Sequence, residues 1–368
     1  MADKKIKIIY GIADSGFSGG PKQLLHLLEG LDKRQFQSVV ISPKGFLSKK
    51  VKKMGIRHYE FDFKRGWGST RKLKKMMKKE IEDDSHMIIH AQGVKAGAFL
   101  KKCNARLRRP LVYTEHNWTK DYTLPQNWRR GYQLNMLRRM SRYTSWTVCV
   151  SNAVRDFLLR KRITTEERSS VIYNGVEFSQ VKKRTKWEPI VVGTIASLHR
   201  RKGLVFLLEA LAKFKEKNDK KIILKIVGEG PELDFLRQHS VYLGVNFDIQ
   251  WLGVRENLTD FWSGINIYVQ PSLDESFGMA TAEAMGYEIP VVATTAGALP
   301  EIVKDGGLLV EPGNSEELAK AIENISNNKG VREENITKAR TRVKRLFSVN
   351  RMVGEYEKLY KQLLSEEP

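Results

Sequence analysis

Cysteine is almost absent. Cys103 and Cys149 are the only two in 368 residues. Two thiols cannot form a disulfide framework, so a reducing, cytoplasmic setting is expected. No apolar run approaches the roughly 20 residues that a membrane-spanning helix needs. The opening MADKKIKIIY runs straight into a strand pattern, and no secretory leader is expected. There is no internal repeat and no low-complexity tract. No D-x-D motif and no His–carboxylate cluster proposes a metal, so neither a metal nor a cofactor is expected.

Acidic residues are scarce in one half only. Residues 1–180 hold 37 Lys and Arg against 16 Asp and Glu, and residues 181–368 hold 27 against 26. Nearly all of the net +22 therefore lies in the first half. Such asymmetry points to a polyanionic partner: nucleic acid, an anionic membrane or an anionic substrate. No recognisable RNA or DNA module accompanies the charge, and no nucleic acid is expected. The length and the 41% hydrophobic content allow two domains with sizeable cores.

One stretch organises the chain: residues 270–294, QPSLDESFGMATAEAMGYEIPVVAT. It reads as strand end, polar loop, helix from Met279 to Met285 and buried strand over 289–293. The loop sets the backbone N–H groups of Phe277, Gly278 and Met279 at a helix start. Such groups lack intrahelical partners and suit an anion. Glu275 in the loop and Glu283 in the helix are placed to face one ligand, one nearer and one deeper. Phosphate-binding amides flanked by two carboxylates suit a nucleotide-sugar.

At these residues the chain resembles the retaining glycosyltransferases of family 4. Glu275 and Glu283 meet their E-x7-E signature, framed by E-x-F-G, E-A-M and P-V-V-A-T. Two further stretches carry the likeness. One is V-S-x-A-V followed by V-I-Y-N-G-V-E, over 150–177. The other is Lys202-Gly203, matching the end of a G-R-L-x-x-x-K-G segment. There Ala196 and Ser197 stand where the family has Gly and Arg. Either Ser197 hydrogen-bonds a phosphate oxygen, or Arg200 or Arg201 supplies the charge.

Elsewhere the pattern alternates strands and helices, which independently supports two parallel α/β sheets. Residues 5–12 read as a first strand, followed by the turn 13–20 and a helix over 22–31. Gly19 and Gly20 in that turn would let the backbone approach a ligand. Strands over 87–90 and 111–115 end at His90 and His116, the ligand-facing end of an open α/β sheet. In 71–79, six basic residues surround Leu73, Met76 and Met77 at helical spacing. Two readings stay open: a helix lying on an anionic bilayer with Trp67 at the interface, or a crossover helix that buries its apolar side. Residues 118–142 are rich in Trp, Tyr and Arg (Trp118, Tyr122, Trp128), suiting headgroups, sugars or phosphates. In the second half, Pro231 is expected at the first position of a helix, and a helix is expected over 347–364.

The resemblance implies a GT-B fold: two Rossmann-like domains facing a central cleft, with a C-terminal helix crossing back to the first. Domains are expected at 1–178 (acceptor) and 179–345 (donor), with the helix in 346–368. It implies retaining transfer of a hexosyl unit from a nucleotide-diphosphate sugar to an acceptor, and the basic first half points to an anionic or lipid-linked one in cell-envelope or polysaccharide synthesis. His116 and Glu275 would be the catalytic residues. The donor would be held by Gly19, Gly20, Ser197, Arg201, Lys202, Phe277, Gly278, Met279 and Glu283, with its base near Val254 and Arg255. The protein would be cytoplasmic and peripheral on the inner face of the membrane. A sugar-nucleotide epimerase of the same fold and a nucleic-acid-binding protein are the alternatives.

Overall fold

The structure is a computed structural model that describes residues 5–64, 68–81, 86–105, 107–117 and 128–365. It divides into two units, residues 1–175 with 349–368, and residues 176–348.

The first unit alternates strands and helices: β1 (Ile6–Ile12), α1 (Gly19–Gly30), β2 (Phe36–Ser42), α2 (Phe46–Lys53), β3 (Arg57–Glu60), α3 (Ser69–Ile81), β4 (Met87–Gln92), α4 (Val94–Asn104), β5 (Leu111–Glu115), α5 (Trp128–Ser141), β6 (Trp146–Cys149), α6 (Asn152–Arg160) and β7 (Ser169–Val171). The strands form one parallel sheet in the order β3-β2-β1-β4-β5-β6-β7. β4 and β5 are buried at every residue, as strands covered on both faces must be.

The second unit repeats the plan: β8 (Ile190–Ile195), α7 (Leu204–Lys217), β9 (Ile222–Val227), α8 (Leu233–Tyr242), β10 (Ile249–Trp251), α9 (Thr259–Ser263), β11 (Ile267–Gln270), α10 (Met279–Gly286), β12 (Val291–Thr294), α11 (Leu299–Val303), β13 (Leu308–Val310), α12 (Ser315–Asn327) and α13 (Lys329–Leu346). Its parallel sheet runs β10-β9-β8-β11-β12-β13. In both sheets the order reverses beside the first strand, between β1 and β4 and between β8 and β11. Loops that leave such a switch point diverge and open a crevice for ligands.

The last helix, α14 (Val349–Ser365), belongs to the first unit. It drives Met352, Val353, Tyr356, Leu359, Tyr360 and Leu363 into that unit's core. Its tyrosines also make buried polar contacts. Tyr360 meets Tyr10 at 3.2 Å, and Tyr356 meets Thr114 at 3.1 Å and Gln23 at 3.3 Å.

Several expected elements shift. α1 starts at Gly19, not Lys22, because Pro21 sits in the first turn, where a missing N–H costs nothing. The helix over 347–364 is preceded by a separate one, α13, and Phe347 between them is fully buried against Phe277. Pro231 stands before α8 rather than at its first position. The Glu232 N–H donates to Leu198 O at 3.0 Å, which fixes the turn outside the helix. His90 is not at a ligand-facing edge: it is fully buried, bonded to Tyr360 and Thr114 at 2.7 Å each. α3 buries Leu73 and Met77, so it is a crossover helix whose cations face outward. Trp67, Trp118, Tyr122 and the Trp128 side chain lie outside the described residues.

Candidate functional site

In the second unit, the loops after β8 and β11 meet at the switch point. After β8 the chain makes a single 3-10 turn over Arg200–Lys202, then Gly203 in a left-handed conformation at φ 64°. The β11 loop is strapped to it: Leu273 N–H donates to Arg201 O at 2.8 Å and Asp274 N–H at 3.3 Å. A side chain at Gly203 would place Cβ 2.0 Å from Pro271 O, so only glycine lets the two loops touch.

This strapping sets Lys202 Nζ 2.5 Å from Glu275 Oε2, with both residues less than a tenth exposed. Ser272 Oγ donates to the same oxygen at 3.2 Å and Gln270 Nε2 approaches it at 3.5 Å. Burial by itself would raise the Glu275 carboxyl. The Lys202 ammonium outweighs it, helped by Arg201 and Ser272, and holds the pKa below the usual carboxylate value. The backbone of Glu275 is fixed as well: its carbonyl accepts from Ala298 N–H at 2.8 Å, and Gly297 packs against it with no room for a Cβ.

Gly278 follows with φ 90° and opens α10, whose first-turn amides have no partners within the helix. Glu283 is buried one turn further along α10. Beneath both acids lies Tyr268 of β11. Burial raises its phenol pKa well above normal, and the Glu275 and Glu283 carboxylates raise it further. Its hydroxyl donates to Gln270 Oε1 at 2.6 Å.

The remaining predicted residues of this unit lie along the same sheet edge. The loops after β8, β9 and β10 are stitched together: Leu198 N–H donates to Glu229 O at 2.9 Å, and Gly228 N–H to Gly253 O at 2.9 Å. Val254 and Arg255 are exposed just beyond, and Arg255 Nε donates to Leu252 O at 2.9 Å. Ser197 and Arg200 are exposed, while Arg201 is half-buried beside Glu275.

In the first unit, Gly20 and His116 come together: a Cβ on Gly20 would lie 3.8–3.9 Å from the His116 ring. Asp14 shapes the preceding loop by accepting from Gly16 N–H at 2.8 Å and Ser18 Oγ at 2.5 Å. The Ser18 hydroxyl accepts from no amide of α1, and Gly19 begins that helix exposed. The His116 ring is half-buried and bonded through Nε2 to Gln92 Oε1 at 2.6 Å. Desolvation holds its pKa down at about 4, against the pull of Asp14.

Sequence reasoning missed four polar residues that build these places: Tyr268 and Gln270 in the second unit, Gln92 and Glu115 in the first. The available signal was a polar residue at the last position of a buried strand, as at Gln92, Glu115 and Gln270. Among the described residues, no group of three or more His, Cys, Asp or Glu is gathered to hold a metal ion. Nor is any described helix long and apolar enough to cross a membrane.

Two parallel Rossmann-like units with this strand order define a GT-B architecture. Comparison with known proteins carries the assignment to a family. The family model "Glycosyl transferases group 1" matches residues 176–342, and "Glycosyltransferase Family 4" matches residues 17–180. Together they span most of the chain, which belongs to the family 4, group 1 glycosyltransferases. Among curated relatives, it is 27% identical over 247 residues to the uncharacterized glycosyltransferase MJ1607 of Methanocaldococcus jannaschii, covering 62% of this chain and 63% of that protein. It is 23% identical over 235 residues to the capsular polysaccharide biosynthesis glycosyltransferase CapM of Staphylococcus aureus, covering 60% and 62%. The chain thus spans less than two thirds of these relatives. Among solved structures, HepE of Anabaena in complex with UDP and glucose superposes with a TM-score of 0.84 at 22% identity, over 97% of this chain and all of that one.

Proposed function

We propose that this chain is a retaining hexosyltransferase that uses a nucleotide-diphosphate sugar. The observation that carries the reading is the Lys202–Glu275 pair, strapped beside the start of α10 at a Rossmann switch point. The α10-end amides of Phe277, Gly278 and Met279, together with Lys202, take the leaving diphosphate, where charge develops in the transition state. Arg201 adds charge where Ser197 replaces the family's arginine, and Ser197 offers a hydroxyl to a phosphate oxygen. Glu275 orients the donor sugar, Glu283 the ribose, and main-chain groups near Val254 and Arg255 the base. HepE, solved with UDP and glucose, and CapM, a capsular polysaccharide biosynthesis glycosyltransferase, support this class of donor and product.

In the first unit, His116 contacts the sugar or the acceptor, and Gly19–Gly20 let the backbone approach it. The first unit, residues 1–175 with 349–368, is the acceptor side and the second, residues 176–348, the donor side. Among the described residues no nucleophile–base pair accompanies Glu275, whose carboxylate is engaged by Lys202. The reaction is therefore front-faced: the leaving phosphate helps deprotonate the acceptor hydroxyl. No metal is needed, because amides and Lys202 neutralise the diphosphate.

The acceptor is anionic or lipid-linked, and the protein docks peripherally on an anionic membrane in envelope or polysaccharide synthesis. The support is α3, whose Arg71, Lys72, Lys74, Lys75 and Lys78 are all exposed along one helix. With Leu73 and Met77 turned inward, the attraction is electrostatic and weakens with salt.

The test is transfer from a panel of nucleoside-diphosphate hexoses, with EDTA present, followed by anomeric analysis of the product. Retained configuration with EDTA supports the reading; isomerised donor without acceptor would point to an epimerase instead. Co-sedimentation with anionic vesicles at low salt tests the membrane part, and no binding there contradicts it.

A further inference from the structure

A polar chain runs through the first unit from the His116 ring to α14. His116 Nε2 and Gln92 Oε1 lie 2.6 Å apart. An amide oxygen carries no proton, so His116 Nε2 is the donor. The other end of the Gln92 amide, Nε2, lies 3.4 Å from His90 Nε2. That His90 nitrogen also meets the Thr114 hydroxyl at 2.7 Å, while His90 Nδ1 meets the Tyr360 hydroxyl at 2.7 Å.

The directions of these bonds are linked. His90 is fully buried, and burial, with His116 nearby, keeps its pKa down at about 3. It is therefore neutral and carries one ring proton. With its oxygen toward His116, the Gln92 amide turns its NH2 group to the His90 Nε2, so the His90 proton is on Nδ1 and goes to Tyr360. Reversing the Gln92 amide would set its oxygen against the His90 Nε2 lone pair and its NH2 group against the His116 donor. The three groups thus hold one self-consistent set of directions, in which the Gln92 oxygen faces His116 and Gln92 sets the tautomer of His116.

We propose that Gln92 is a positioning residue that locks His116 in the Nε2–H tautomer and keeps Nδ1 as the ring's acceptor for a hydroxyl of the sugar or acceptor substrate. The role of Nδ1 rests on the function proposed above. The tautomer lock does not.

The backbone of the same residue is gripped separately. Glu115 Oε1 accepts from the N–H groups of His116 and Asn117, at 2.9 Å each. Ring and main chain are thus fixed from the ends of β4 and β5, which a group that must meet a ligand hydroxyl requires. The titratable groups around His116 are Asp14 from the loop after β1, His90 from β4 and Glu115 from its own strand. Only Asp14 favours the imidazolium.

The experiment is ring-nitrogen NMR on the full chain labelled with 15N-histidine, titrated from pH 3.5 to 8. The His116 signal is assigned by its loss in His116→Gln. The wild type should show one neutral Nε2–H tautomer down to about pH 4. Gln92→Glu keeps an acceptor oxygen but adds charge, and should raise the His116 titration by a pH unit or more. Gln92→Met should average the two tautomers. An unchanged tautomer and titration in both variants would overturn the proposal. If Gln92→Met does not fold, the nearly isosteric Gln92→Glu carries the test alone. The Nδ1 role is read in sugar transfer: Gln92→Met should lower kcat at least tenfold with donor KM within about twofold. A changed tautomer with unchanged kcat would overturn that role. A wild type without transfer activity but with the tautomer shifts above leaves the lock standing and refutes the transferase reading.

Discussion

Lys202 Nζ lies 2.5 Å from Glu275 Oε2 in a site nearly closed to solvent, so each charge is the other's main solvation. Removing one partner leaves a buried, uncompensated ion, which typically costs about 3–5 kcal/mol. Lys202→Met and Glu275→Gln should therefore be less stable than Lys202→Met/Glu275→Leu, which removes both charges. Denaturant titration of the three variants checks this. The Glu275 carboxyl titrates below its unfolded value. Its contribution is thus present above the unfolded pKa and is lost as pH falls through the folded one.

Gly203 and Gly297 let the loops around Glu275 touch. A Cβ would lie 2.0 Å from Pro271 O at the first and 2.1 Å from Glu275 O at the second, both at positive φ. Gly203→Ala and Gly297→Ala should each destabilise the second unit by about 2 kcal/mol or more and weaken donor binding. Differential scanning calorimetry with and without the nucleotide reads both effects.

Acid should loosen the first unit through His90. Its pKa is about 3 folded and near 6.5 unfolded, so the unfolded chain binds the proton first. Stability therefore falls as pH drops below 6.5, by about 3 kcal/mol at pH 4.5. His90→Gln removes this dependence, and its melting temperature should decline less between pH 6.5 and 4.5. His116, down at about 4, contributes in the same direction and remains in the variant.

Glu115 works with the opposite sign. Burial pushes its carboxyl up to about 7, against the donors from Tyr113 and the two amides. The folded chain then holds the proton more tightly than the unfolded one. Stability is lost as pH rises from about 4.5 to 7, on the order of 3 kcal/mol. Glu115→Gln keeps an acceptor for His116 and Asn117 and should be the more stable protein at pH 8. Thermal melts at pH 5 and pH 8 decide it.

The sheets were legible because parallel strands buried on both faces leave apolar runs, and the helices between them repeat at helical spacing. The framed stretch around Glu275 and Glu283 was legible because its loop chemistry is local. What stayed hidden was non-local. His90 ends a strand pattern as His116 does, yet α14, some 270 residues later, buries one ring and not the other. Likewise, Tyr268 reaches Ile195 O of β8 and Gln92 meets His116 after β5, contacts whose register no single stretch encodes. Short polar elements such as β3 and α2 carry too few buried residues to leave a pattern.

The proposed donor site is the switch point of the second unit, built from Lys202, Glu275 and the start of α10. Isothermal titration of a panel of nucleoside-diphosphate hexoses, with EDTA, into the wild type and into Lys202→Met/Glu275→Leu tests it most directly. The wild type should bind at least one donor saturably at one site, and the folded double variant at least tenfold more weakly. No binding by the wild type, or equal binding by both proteins, would contradict it.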